Sequence, residues 1–212
     1  MQFGTVTNDK AQIATAAAAC IVFLTARNQN RLGAVLVAGP SIHVVPPRSG
    51  SNQVRAVLSL LSAPPMSEGL GSADLAGAID RVGAIANLRG FVAVISDFRG
   101  DAWQPSLARL SLRHDLLAIT VHDPREHDVS PIGLVELVDP ATGATREIRV
   151  TAKVQERFAA AAQEEHDRRA DALGRSRADV IELSTDGDWL GAIVQHTQRR
   201  RVQAVRGDGI GR

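Results

Sequence analysis

Two apolar runs constrain the fold more than anything else in the chain: FVAVIS at residues 91–96 and LLAITV at residues 116–121. Neither alternates with polar residues, so each reads as a strand buried on both faces. The segment between them, around residues 104–112, reads as a helix. A strand, a helix and a second strand at this separation form a right-handed crossover with the strands parallel. The first run ends on Ser96 and Asp97, ahead of a turn containing Gly100. In open α/β sheets, ligands bind beyond the carboxyl ends of parallel strands. Asp97 therefore stands where a site would be built.

The rest of the chain alternates in the same way. Asn8 or Asp9 caps a helix running to about residue 27. LGAVLVA (32–38) and IHVVP (42–46) are strands joined through Gly39, Pro40 and Ser41 as an antiparallel hairpin. Ser51 or Asn52 opens a helix with Val54, Val57, Leu58 and Leu61 on one face. Ser72 caps another, with Leu75, Ile79, Val82 and Ile85 as its stripe. GLVELV and TREIRV are strands joined by the turn DPATGA. A long helix follows from 152 to about 173, then the strand DVIELS (179–184). Asp186 or Asp188 caps a last helix, with Trp189, Leu190, Ile193 and Val194 turned inward. This pattern predicts a mostly parallel sheet with helices on both faces. One domain spans residues 1–201, and 202–212 is expected to be a basic, glycine-rich flexible tail.

Composition limits the function. Aromatics are 3% and tyrosine is absent, so the core is Ala, Val, Leu and Ile, filled out by Trp103, Trp189 and five Phe. A net charge of +1 gives no field for nucleic acid or an anionic membrane. Cys20 is the single cysteine, which rules out an internal disulfide and a four-cysteine zinc site. Residues 11–26 are too short and too alanine-dominated for a spanning helix, and no secretory leader is visible. A cytoplasmic location is expected.

At the carboxyl edge, Asp97, Asp101, Asp123, Glu126 and Asp128 offer oxygen ligands for a hard cation. Asp residues at strand ends also serve turns and caps. HDPREH (122–127) lies on a proline-containing turn, so it lacks the helical geometry of a zinc-binding H-E-x-x-H. No G-x-S-x-G and no phosphate-binding G-x-x-x-x-G-K-[ST] is present. Arg199–Arg201 close the last helix, where cations suit the helix dipole.

Several stretches together carry a family resemblance: FVAVISDF, RHDLLAITVHDPRE, GLVELVDPATG, LSTDGDWL and the terminal arginines. DKAQIATAAAACIVFL, NRLGAVLVA and PPRSG near the start agree with it. In order and spacing they resemble the family of domains of unknown function numbered fifty-eight. The resemblance implies a von Willebrand factor A-like domain. It also implies a non-enzymatic role beside MoxR-type AAA+ ATPases, in chaperone-like maturation, with the ATPase or its client as partner. In metal-binding A-like domains a divalent cation is held by three parts: Asp-x-Ser-x-Ser after the first strand, a later Thr, and an Asp after the fourth strand. Asp97 matches that last Asp. The Thr position falls on Ala73, with Ser72 beside it as a weaker candidate. The Asp-x-Ser-x-Ser motif and its strand would precede Met1, and the resemblance leaves open that Met1 lies inside a longer reading frame.

The expectation is therefore an incomplete metal site with no cofactor and at most weak Mg²⁺ binding. The expected partner surface is Asp97, Phe98, Arg99, Asp101, Asp123 and Glu126. Two alternatives stay open: a metal-dependent hydrolase using the 122–128 loop, and a nonfunctional fragment. With its first, central strand missing, the sheet is expected to pair 32–38 with 91–97 directly, recruit another strand, or aggregate through these edges.

Overall fold

A computed structural model describes residues 4–5, 8–26, 30–39, 41–63, 73–124, 133–138 and 145–207. In chain order the elements are β1 (Gly4–Thr5), β2 (Asn8–Asp9), α1 (Lys10–Thr25), β3 (Leu32–Ala38) and β4 (Ser41–Arg48). Next come α2 (Ser51–Ser62), α3 (Leu75–Ile85), β5 (Phe91–Ser96), α4 (Gln104–Ser111) and β6 (Asp115–His122). The chain continues through β7 (Gly133–Val138), β8 (Thr145–Val150), α5 (Ala152–Arg175), β9 (Asp179–Ser184) and α6 (Trp189–Gly207).

The crossover forms as its sequence dictates. β5, β6 and β9 make a parallel sheet in that order, with Phe91 opposite Asp115 and Leu117 opposite Asp179. β6 is the middle strand, and Leu116–Val121 are buried throughout. Its side chains alternate between two cores, as the pleat requires. Leu116 and Ala118 pack with Ile79 of α3, Leu107 and Leu110 of α4, and Leu173 of α5. Leu117, Ile119 and Val121 pack with Ile13 and Ala17 of α1, Leu183 of β9 and Ile193 of α6. Helices thus cover both faces of a mixed α/β fold.

The caps follow local chemistry, with one correction. At α1, Asp9 accepts from the Ala11 amide, and Gln12 accepts from the Asp9 amide, each at 3.4 Å. α3 is capped by Asp74, which accepts from the Gly77 amide at 2.8 Å. Ser72, the predicted cap, lies outside the described residues. At α6, Asp188 accepts from the Gly191 amide at 2.9 Å, so it is the cap of the two candidates.

The inward stripe of α6 is narrower than predicted. Ile193 is buried and Trp189 and Ala192 lean on the same core, but Leu190 and Val194 are 48% and 39% exposed. α6 runs on through the arginine cluster to Gly207, so residues 202–207 of the expected tail are helical. No helix among the described residues is long and apolar enough to cross a membrane.

β3 and β4 form the predicted hairpin, with Ala38 opposite Ser41. A bulge falls between Leu32 and Ala34. At Gly33 a Cβ would come within 3.0 Å of the Pro47 ring and the Val45 carbonyl, so only glycine fits without a shift. From α2, buried Gln53 donates to the Leu32 and Pro46 carbonyls at 2.7 Å each, tying the helix to both strands. β1 and β2, and β7 and β8, are further antiparallel pairs. Among the described residues β3 pairs with β4 and β5 with β6, and the two are not paired to each other. Direct closure, one of the expected outcomes, does not occur there.

Candidate functional site

The carboxyl edge of the parallel sheet is formed by the ends of β5, β6 and β9. Behind β5 the chain reverses in a tight loop, residues 97–103. The Ser96 hydroxyl accepts from the Phe98 amide at 3.2 Å and lies 3.5 Å from an Asp97 carboxylate oxygen. Phe98 has a φ of 49° and Gly100 a φ of 70°. A left-handed Phe is unfavourable by itself and persists only where its surroundings hold it. Here they do. Phe98 is fully buried and meets Trp103 edge-on, with ring centroids 5.1 Å apart. The Trp103 indole N–H is shared between the Phe98 carbonyl at 3.1 Å and the Gly100 carbonyl at 2.6 Å. From α5, Arg169 donates to the Asp97 carbonyl at 3.2 Å.

The loop is therefore a stapled turn that presents a few charges. The Asp97 carboxylate is 17% exposed and pairs with the Arg99 guanidinium at 3.1 Å. Arg99 and Asp101 point to solvent, and the Asp101 carboxylate accepts from the Gln104 amide group at 2.9 Å. At the end of β6, Asp123 is 1% exposed. At the end of β9, the Thr185 amide donates to the His122 carbonyl at 3.1 Å, and Ser184 hydrogen-bonds Asp186.

These positions correct part of the expected partner surface. Phe98 is an internal anchor and Asp123 is enclosed, so neither side chain reaches a partner docked on this edge. Arg99, Asp101 and the half-buried Asp97 remain available. Glu126 lies outside the described residues, as do His127 and Asp128 of the proposed hydrolase loop. Ala73, at the expected Thr position, is exposed and has no side-chain oxygen to offer. Among the described residues there is no group of three or more His, Cys, Asp or Glu placed to hold a metal.

Two contributors were not legible. Trp103 read only as a bulky filler, yet it fastens the loop. Arg169 sits 72 positions from Asp97 in a polar helix, and nothing local links the two.

The fold and edge define an α/β protein whose parallel sheet carries a rigid, charged loop at its carboxyl end. The chain belongs to the family described as protein of unknown function DUF58, whose match covers residues 1–168. An uncharacterized protein of Mycobacterium tuberculosis strain H37Rv is 35% identical over 208 residues, 98% of this chain and 66% of that protein. An uncharacterized protein of Mycobacterium bovis matches to the same extent. The chain thus spans 66% of the length of these relatives. One of Mycobacterium avium is 37% identical over 164 residues, 77% of this chain and 97% of its own.

Among solved structures, the conserved hypothetical protein BatB from Bacteroides thetaiotaomicron superposes with a TM-score of 0.53 at 11% identity. The match covers 94% of this chain and 91% of BatB. An aerotolerance-related membrane protein from Bacteroides fragilis, carrying multiple mutations to serines, gives 0.54 at 12%, covering 92% and 90%. At such identities the likeness is one of fold.

Proposed function

We propose that this chain is a non-enzymatic protein-interaction module of the von Willebrand factor A-like type. Its carboxyl-edge loop docks a MoxR-type AAA+ ATPase or that ATPase's client, in the cytoplasm. The observation that carries this reading is the stapled loop itself. Trp103, Phe98 and Arg169 hold residues 97–101 in a conformation a free chain would rarely adopt, while Arg99 and Asp101 stay exposed. Preorganising exposed charges lowers the ordering cost of association and gives specificity to the encounter. Ser96 supports a binding role over a catalytic one, because its hydroxyl is engaged by the Phe98 amide and lies against Asp97. The family resemblance supplies the partner class.

The test is calorimetric titration of the chain with a purified MoxR-type AAA+ ATPase. The reversal Asp101→Arg touches neither the buried staple nor the Asp97–Arg99 pair and gives up the Asp101 bond to Gln104. It is expected to weaken binding at least ~10-fold, or ~1.4 kcal/mol. Equal binding by the wild type and the variant would remove this edge from consideration.

A further inference from the structure

The two ends of the parallel sheet differ in charge, although the chain as a whole carries only +1. Among the described residues, the loops leaving β5, β6 and β9 hold Asp97, Asp101, Asp123, Asp186 and Asp188 against one arginine, Arg99. The loops entering the same strands are the reverse. Arg89, Arg113 and Arg177 each stand two positions before the first residue of their strand, and Arg175 ends α5 just ahead of Arg177. All four are exposed. Phe91 is opposite Asp115, so Arg89 and Arg113 hold matching positions ahead of strands about 4.8 Å apart. The acids of the strand starts are Asp115 and Asp179, and Asp179 lies 3.7 Å from His196 of α6. That contact also places α6, which begins at the carboxyl end and has reached the first residue of β9 by His196. Residues 197–207, roughly 16 Å of helix, carry Arg199, Arg200, Arg201 and Arg206 on past the amino end.

Two aliphatic side chains stand at the same end. Leu112 and Leu88 are 71% and 68% exposed, more than any other large apolar side chain among the described residues. Each directly precedes one of the matched arginines, so Leu88-Arg89 and Leu112-Arg113 repeat one motif in register. Both arginines are near the buried His114 ring, whose pKa is lowered first by that burial and then by their charges. Scattered exposed leucines are ordinary. Two in register, each joined to an arginine, make a surface of aliphatic tips on a cationic base. A folded protein partner would need a pocket shaped for such tips, and single-stranded nucleic acid is gripped by aromatic stacking that leucine does not supply. A bilayer takes aliphatic tips anywhere along its interface, while its anionic headgroups attract the guanidiniums.

We propose that the amino end of the parallel sheet is a peripheral docking surface for an anionic lipid bilayer. Leu88 and Leu112 enter the headgroup layer, and Arg89, Arg113, Arg175 and Arg177 meet the lipid phosphates. This is attachment to one leaflet and not a span, since no helix among the described residues is long and apolar enough to cross. β5, six residues and roughly 20 Å long, then separates the bilayer from residues 97–101. The carboxyl-edge loop faces away from the lipid, so the two surfaces stand or fall independently.

The test is co-sedimentation of the full chain with vesicles of phosphatidylcholine, alone or with roughly one third phosphatidylglycerol. Binding to the anionic vesicles is expected to be at least ~10-fold tighter and to weaken as salt rises. Each cation near an anionic leaflet is worth ~5-fold, so Arg89→Gln/Arg113→Gln should weaken binding at least ~10-fold. Leu88→Ser/Leu112→Ser should weaken it ~5-fold or more with the salt dependence retained. The control Arg157→Gln/Arg168→Gln removes the same charge from α5 upstream of Arg169, which bonds the Asp97 carbonyl at the opposite end. It should change binding less than ~2-fold. Every replaced side chain is exposed, so thermal melts of the variants are expected to match the wild type. Equal binding to both kinds of vesicle, equal losses in the edge and control variants, or no loss without the leucines overturns the proposal. So does binding of polyglutamate or a short oligonucleotide in place of vesicles, abolished by Arg89→Gln/Arg113→Gln; the surface then serves a protein or a nucleic acid.

Discussion

Replacing Trp103 by Phe tests how the carboxyl-edge loop is held. The indole is 2% exposed and gives its N–H to two carbonyls, of Phe98 and Gly100. Gly100 is exposed, so its carbonyl can turn to water; Phe98 is fully buried, so its carbonyl is left unpaired. A buried acceptor without a donor costs ~1–3 kcal/mol. The smaller ring also gives up about 40 Å² of buried apolar surface, or ~1 kcal/mol at ~25 cal/mol/Å². The expected loss is ~2–4 kcal/mol, a large part of a typical domain stability of ~5–15 kcal/mol. Trp189→Phe is the control, since that indole is only half-buried; its cost is expected to stay below ~1 kcal/mol. Urea unfolding followed by far-ultraviolet circular dichroism separates the two. With a slope of ~2 kcal/mol/M, Trp103→Phe lowers the midpoint by ~1–2 M with the slope unchanged. A shift equal to that of Trp189→Phe would show that the shared indole bond does not hold the loop.

Three further outcomes are expected. His114 is buried at the start of β6, and its pKa is lowered, first by that burial and then by the charges of Arg113 and Arg89. The unfolded chain then binds the extra proton first, so stability is complete above pH ~6.5 and falls as pH drops through the lowered folded value. His114→Gln should flatten the fall in stability below pH ~6.5, and an unchanged slope there counts against the assignment. Asp74→Ala removes the α3 cap and should cost ~1 kcal/mol in a thermal melt, while Asp74→Ser recovers most of it; equal losses would mean the cap bond contributes nothing. Titration with Mg²⁺ to millimolar concentration should give no saturable heat, because the Asp97 carboxylate is already paired with Arg99; a stoichiometric micromolar site would reverse that conclusion.

Much of the architecture was legible before any coordinates. Unbroken apolar runs identified β5 and β6 as two-faced strands, the alternation of β and α implied the parallel crossover, and DVIELS coincides with β9. These features are local, since side-chain periodicity and turn residues act within a few positions. The candidate edge was legible too, because parallel strands put Asp97 and Asp123 at the same end of the sheet. Tertiary structure alone decided what each residue there does. Phe98 and Asp123 are enclosed, Arg99 and Asp101 are exposed, and Arg169 arrives from a helix far along the chain. It likewise turned Leu190 and Val194 outward, since how wide a helix stripe is buried depends on what lies opposite. β5 and β6 make the same point in sequences that are nearly interchangeable. Periodicity tells which faces of a strand are apolar but not whether a neighbour lies along its edge, so β6, with a strand on each side, is buried and β5, with one, is half-buried.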